Sequence, residues 1–129
     1  MRFIPTRFHG IVDYVVGLVF VLAPWLFNFS DNTTATWTIV IAGVITLAQS
    51  VFTNYELGLI KKIPMQSHLM IDFGLGVVLA LTPWMFNFAD DVYIPHLVGG
   101  VFSILASLTT HRVPSTSYTK AHPEHRNMP

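Results

Sequence analysis

Four long apolar segments constrain this chain more than any other feature. They run from about Phe8 to Phe29, Trp37 to Asn54, His68 to Phe88 and Tyr93 to Thr110. Each holds roughly 18–22 residues, enough for a helix rising 1.5 Å per residue to cross about 30 Å of hydrocarbon. In lipid every backbone N–H and C=O must be paired internally, which leaves helices or a closed barrel. Period-two alternation is absent from all four segments, so helices are expected. Composition agrees. Of 129 residues, 11% are charged and 52% hydrophobic, where soluble domains carry roughly 25% charged residues. The first segment follows Arg2 and Arg7 and ends in Pro-Trp and aromatics, not in a small-residue cleavage site. It is therefore read as a retained span and not a signal peptide.

The charges orient the expected bundle. Arg2 and Arg7 precede the first span, Lys61 and Lys62 lie between the second and third, and Arg112, Lys120 and Arg126 follow the fourth. The other two connections carry Asp31, Asp90 and Asp91 and no Lys or Arg. Positive charge concentrates on the cytoplasmic side of membrane proteins. Both termini are thus expected in the cytoplasm of a multi-pass cell (inner) membrane protein. Residues 1–110 form one membrane domain in this reading. Residues 113–129 form a polar, disordered tail, and in the stretch from His111 onward His111, His122 and His125 are read as solvated before they are read as metal ligands. Net charge is zero, which removes the electrostatic case for nucleic acid. The absence of Cys excludes disulfides and thiolate chemistry.

The chain also repeats itself. At a shift of 59 residues His9 falls on His68, Asp13 on Asp72, Gly17 on Gly76, Pro24-Trp25 on Pro83-Trp84, Phe27-Asn28-Phe29 on Phe86-Asn87-Phe88, and Asp31 on Asp90. The second helices align at a shift of 57, placing Gly43, Thr46 and Ser50 on Gly100, Ser103 and Ser107. The copies cover about 6–58 and 65–112. Each is a helix hairpin, so both enter the membrane the same way. The expected fold is an all-α, four-helix membrane bundle of two parallel hairpin repeats, with a pseudo-twofold axis along the membrane normal. Pro24 and Pro83 loosen the last turns of their helices. Trp25 and Trp84 then fall at interface level as anchors, and Asn28 and Asn87 suit an αL helix end. Asp31 and Asp90 are placed to cap the helices that follow.

A Pro-Trp pair ending the first helix of a duplicated two-helix unit resembles the SPW repeat family of small membrane proteins. The resemblance covers about residues 6–110. The Ser of the motif is Ala23 in the first copy and Thr82 in the second. Membrane location and two helices per repeat are what the resemblance implies; it supplies no catalytic residues.

His9 and Asp13, and again His68 and Asp72, stand four apart on one helix face, with Gly17 and Gly76 one turn deeper. Glycine on a membrane helix admits a close neighbour, so this stripe faces another helix and not lipid. Each Asp lies about 6 Å deeper than its His. A carboxylate there costs roughly 2.5–3.5 kcal/mol at the helix centre unless it is paired, protonated or hydrated.

Three readings stand. In one, each His pairs with the Asp of its own helix as a structural clamp, with Thr53 or Thr110 bonding across to a partner helix. In another, the pairs line a polar vestibule for proton-coupled or small-solute transport. In the third, the two pairs converge on a metal ion, or the two histidines hold a haem. No cofactor is expected outside this third case.

His96, after Pro95, is read as an interfacial histidine, Glu56 as a solvated charge, and several of Thr46, Gln49, Ser50, Ser103 and Ser107 as packing. The small-residue stripes at Gly43 and Gly100 predict close helix contact, within the chain or in a homo-oligomer. No nucleophile–base pair or phosphate loop is visible, so a structural or accessory membrane protein is expected before an enzyme.

Overall fold

A computed structural model describes residues 1–114. It contains α1 (Thr6–Leu26), α2 (Thr33–Phe52), α3 (Met65–Met85) and α4 (Ile94–Thr109), and no strand among the described residues. The expected tail lies outside these residues, apart from its first two.

The helices start and stop for local reasons. Pro5 and Pro64 sit at the N-caps of α1 and α3 in extended conformation. Proline is tolerated there because the N–H it lacks would have no partner. The backbone amides of His9 and His68 then donate to Pro5 and Pro64 at 3.0 Å, the first bonds of each helix. The helices therefore begin two to three residues before the apolar runs do, and both histidines fall in a first turn.

At the other end Asn28 and Asn87 adopt φ of 60° and 62°. Phe29 and Phe88 N–H return to the carbonyls of Pro24 and Pro83 at 2.8 Å. That is the six-to-one bond of a Schellman stop, which the left-handed residue makes possible. The prolines point inward and are buried, while Trp25 and Trp84 are more than half exposed.

Two expectations about the outer loops are corrected. Asp31 and Asp90 do not cap the next helices. Asn32 caps α2, its Oδ1 accepting from Ala35 N–H at 3.0 Å, and its Nδ2 donates to Asp91 across the outer end at 2.8 Å. α4 has no side-chain cap and carries Pro95 in its first turn instead. α4 has 16 residues, or about 24 Å of helix. α1, α2 and α3 are long and apolar enough to cross a membrane, and α4 is a shorter apolar helix.

Each hairpin packs closely on itself, α1 on α2 and α3 on α4, while α2–α3 and α1–α4 make thinner seams. α1 and α3 thus lie diagonally across the bundle. The hairpin contacts use the glycines. A Cβ on Gly43 would lie 2.7 Å from the Gly17 carbonyl oxygen, and one on Gly76 would lie 2.6 Å from that of Gly100. Backbones this close need glycine on both helices. The small-residue stripes are therefore spent inside the chain.

Toward the Pro-Trp end the interior holds an apolar cluster of Phe20, Ala23, Phe29, Ala35, Ile39, Ala42, Leu79 and Phe88. Large apolar residues such as Leu18, Leu22, Ile41, Val44, Val78, Leu81 and Leu105 face outward. His9, Asp13, Gln49, His68 and Asp72 face inward. Apolar outside and polar inside suits a bilayer as solvent.

Glu56, expected to be solvated, instead accepts from Thr6 Oγ1 at 2.8 and 2.7 Å. It ties the connection after α2 to the start of α1.

Candidate functional site: a crossed His-Asp quartet

His9 and Asp13 on α1 and His68 and Asp72 on α3 are all buried. Their i, i+4 spacing puts both members of each pair on the face turned to the bundle axis. Because α1 and α3 are diagonal, these long side chains meet where the backbones do not. The Nε2 atoms of both histidines and the Oδ2 atoms of both aspartates alternate around one centre. His68 Nε2 lies 2.7 Å from Asp13 and His9 Nε2 lies 2.9 Å from Asp72. The contacts within each helix are longer, at 3.1 Å for His9–Asp13 and 3.2 Å for His68–Asp72. The expected pairs inside one helix are present, and each histidine has a second, shorter partner from the other repeat.

The outer ring nitrogens cross between repeats as well. His9 Nδ1 contacts Thr110 Oγ1 and His68 Nδ1 contacts Thr53 Oγ1, each at 2.7 Å. The two threonines expected to bond across do so. Thr110 donates its hydroxyl proton to the Ala106 carbonyl at 2.7 Å, and Thr53 donates to that of Gln49 at 2.5 Å. A hydroxyl has one proton, so each threonine must accept from the imidazole Nδ1–H. Each Nε2 then meets two carboxylate oxygens. A bare lone pair there would repel them. Two protons, or one divalent cation, must occupy the centre, and either brings its formal charge to zero.

Placement of the histidines follows from backbone register. The stretch before α1 bridges to the end of α4 at Ile4 and Thr110, and the stretch before α3 bridges to the end of α2 at Ile63 and Thr53. Each first-turn histidine is thereby set beside a threonine from the other repeat.

Sequence reasoning missed two partners. Gln49 Nε2 donates to Asp72 Oδ1, and Ser50 Oγ donates to Asp13 Oδ2 at 3.3 Å. Both belong to the five polar residues of α2 and α4 of which several are read from sequence as packing. Tyr55 also escaped notice. It is fully buried, with its ring centroid 5.9 Å from that of His68. Gly10 makes room for it, since a Cβ there would overlap the Tyr55 ring. Burial lifts the Tyr55 hydroxyl above its ordinary pKa. The ring therefore lies over His68 as a neutral cover.

This geometry bears on each of the three sequence readings. His9 and His68 are 2% and 0% exposed, so the pairs do not line an open vestibule. Above them stands the apolar cluster of Phe20, Ala23, Phe29, Ala35, Ile39, Ala42, Leu79 and Phe88. The haem reading fails on space. The two imidazoles stand edge to face with centroids 5.5 Å apart, and both Nε2 atoms are turned onto the same carboxylates. No macrocycle fits between them. The convergence required by a metal ion is present: one ligand atom from each residue lies within 4.8 Å of the others.

His96 is a further correction. It is fully buried, not interfacial. Its Nε2 donates to the Ala35 carbonyl at 2.9 Å, and its ring lies between Phe29 and Phe88, with centroids 5.6 and 5.0 Å away. It ties α4 to the start of α2 at the outer end, far from the quartet.

No curated protein and no solved structure matches the chain significantly. The family model of the SPW repeat domain matches residues 7–110, most of the chain, and covers all four quartet residues and both Pro-Trp turns. The chain belongs to the SPW repeat family.

Proposed function

We propose that this protein is a structural or accessory bundle of the cell membrane, with both termini cytoplasmic, whose repeats are locked together by the His-Asp quartet. The observation that carries the reading is the crossing: His68–Asp13 and His9–Asp72 are the shorter contacts in the ring. The hairpins meet each other along thin seams, and van der Waals packing is the main force between helices in lipid. A neutral ring of charge-assisted hydrogen bonds strengthens that seam and fixes its register. Placement of the termini rests on Arg2, Arg7, Lys61, Lys62 and Arg112, which among the described residues all fall at that end. The combined change Asp13→Asn with Asp72→Asn tests the lock. Loss of thermal stability in detergent is expected, and unchanged stability would sink the reading.

A second reading has its own observation. Zinc at 2.0–2.1 Å from each ligand makes a tetrahedron with edges of about 3.3 Å. The N···O edges of the quartet are 2.7–3.2 Å. Opening them by a few tenths of an ångström admits a divalent cation in place of two protons. The hydrogen bonds from both Nδ1 atoms and from Gln49 are the outer contacts that orient metal ligands. Metal content of gently purified protein, beside a His9→Ala/His68→Ala control, separates the readings. Stoichiometric metal lost in the control establishes the cation site, and a metal-free preparation leaves the proton-held lock.

A further inference from the structure

One of the differences between the two copies leaves an open groove. In the first copy the cleft between the start of α1 and the end of α2 is closed by Tyr55, seated on Gly10, with Tyr14 Oη donating to the Leu57 carbonyl at 3.0 Å. At the same offsets the second copy has Arg112 for Tyr55, Leu69 for Gly10 and Phe73 for Tyr14. The aromatic cover is replaced by a cation. The corresponding cleft, between the start of α3 and the end of α4, is a cavity of about 440 Å³ walled by Leu69, Met70, Phe73 and Leu108, with Arg2 and Arg112 at its mouth.

Charge and position define what fits. Among the described residues no carboxylate lines this groove, and none lines the adjoining hollow that shares Arg2 and Arg112 and adds His111. Arg2 is held in place: its Nη1 donates to the carbonyls of Ser107 and Thr110 at 2.7 and 2.8 Å. A guanidinium has five N–H donors, so three others remain on that fork. Met70, Phe73 and Leu108 are 75%, 42% and 47% exposed, on the outward surface of the bundle. An occupant needs an apolar body continuous with the bilayer and an anionic head at the interface.

We propose that the α3–α4 groove binds an anionic phospholipid, its phosphate on Arg2 and Arg112 and an acyl chain along Leu69, Met70, Phe73 and Leu108. Arg suits phosphate through paired N–H donors, and basic pockets between helices at the cytoplasmic face suit acidic headgroups. The inference rests on the membrane placement and is independent of what fills the quartet.

The test is native mass spectrometry of the full chain in detergent, with dioleoyl phosphatidylglycerol, dioleoyl phosphatidylcholine or inorganic phosphate added. Retention of one phosphatidylglycerol at least tenfold above phosphatidylcholine is expected. Arg112→Gln should abolish that preference, and Arg2→Gln/Arg112→Gln should abolish retention. Lys61→Gln/Lys62→Gln, which removes exposed cations elsewhere at the same end, should change nothing. Arg112 is exposed, so its single variant keeps the test valid if the double variant does not fold. Equal retention of both lipids, binding of phosphate alone with equal affinity, or an Arg112→Gln variant indistinguishable from wild type would each overturn the proposal.

Discussion

Asp72→Asn is the sharpest perturbation of the quartet, because it removes one charge while keeping the shape. Asp72 is 4% exposed and contacts His9, His68 and Gln49. In the proton-held ring two imidazoliums face two carboxylates. With one carboxylate gone, one imidazole must give up its Nε2 proton or remain as an uncompensated buried charge. Breaking a buried pair from one side costs about 3–5 kcal/mol. For a chain of this size one kcal/mol shifts Tm by roughly 3–5 °C, between the values for smaller and larger domains. A fall of roughly 10–20 °C is therefore expected in thermal unfolding followed by tryptophan fluorescence in a fixed detergent. Asp90→Asn, on an exposed outer-loop residue, should stay within about 0.5 kcal/mol of wild type. Asp13 and Asp72 share both histidines, so the two single effects should fail to add, with a coupling of roughly 0.5–3 kcal/mol. An Asp72→Asn protein melting within about 2 °C of wild type, or strict additivity in the double variant, would refute the crossed lock.

The remaining predictions test the fold around the quartet. Gly76→Ala should destabilise more than Gly17→Ala, because the new Cβ meets a backbone carbonyl at 2.6 Å in the first case and the flexible Leu47 side chain at 2.7 Å in the second. Gly74→Ala, with nothing within 4 Å, should be neutral or stabilising in the same melts. Asn87→Val should cost about 1–2 kcal/mol, since a β-branched residue resists φ of 62°, whereas Asn87→Gly should cost little. Single cysteines at Asn32 and Asp91, in a chain with no native Cys, should react with impermeant maleimide from the outer face alone. Reaction from the cytoplasmic side alone would invert the proposed topology.

What the sequence disclosed, and what it hid, divides along the range of the interactions. Helix positions, the left-handed turns at Asn28 and Asn87 and the duplicated polar stripe follow from neighbours within a few residues, and all were legible. The pairing across the diagonal was not. His9 and Asp13 satisfy an i, i+4 rule by themselves, and nothing local says that Asp72 will come closer to His9 than Asp13 does. That choice is made by bundle order, which sets α1 opposite α3, and by the bridges Ile4–Thr110 and Ile63–Thr53. Comparing the copies hid a partner as well as revealing some. Gln49 corresponds to Ala106, so it looked like an unrepeated polar residue in a small-residue stripe, yet it donates to Asp72. His96 was misplaced for the converse reason. Its counterpart is Ile39, a core residue, and that correspondence was a better guide to burial than the neighbouring Pro95. The same logic applies at the α3–α4 groove. Where the copies agree they describe the shared frame; where Arg112 stands in place of Tyr55, one copy has closed its cleft with its own chain and the other has left an opening with a charge suited to the headgroup of an acidic lipid.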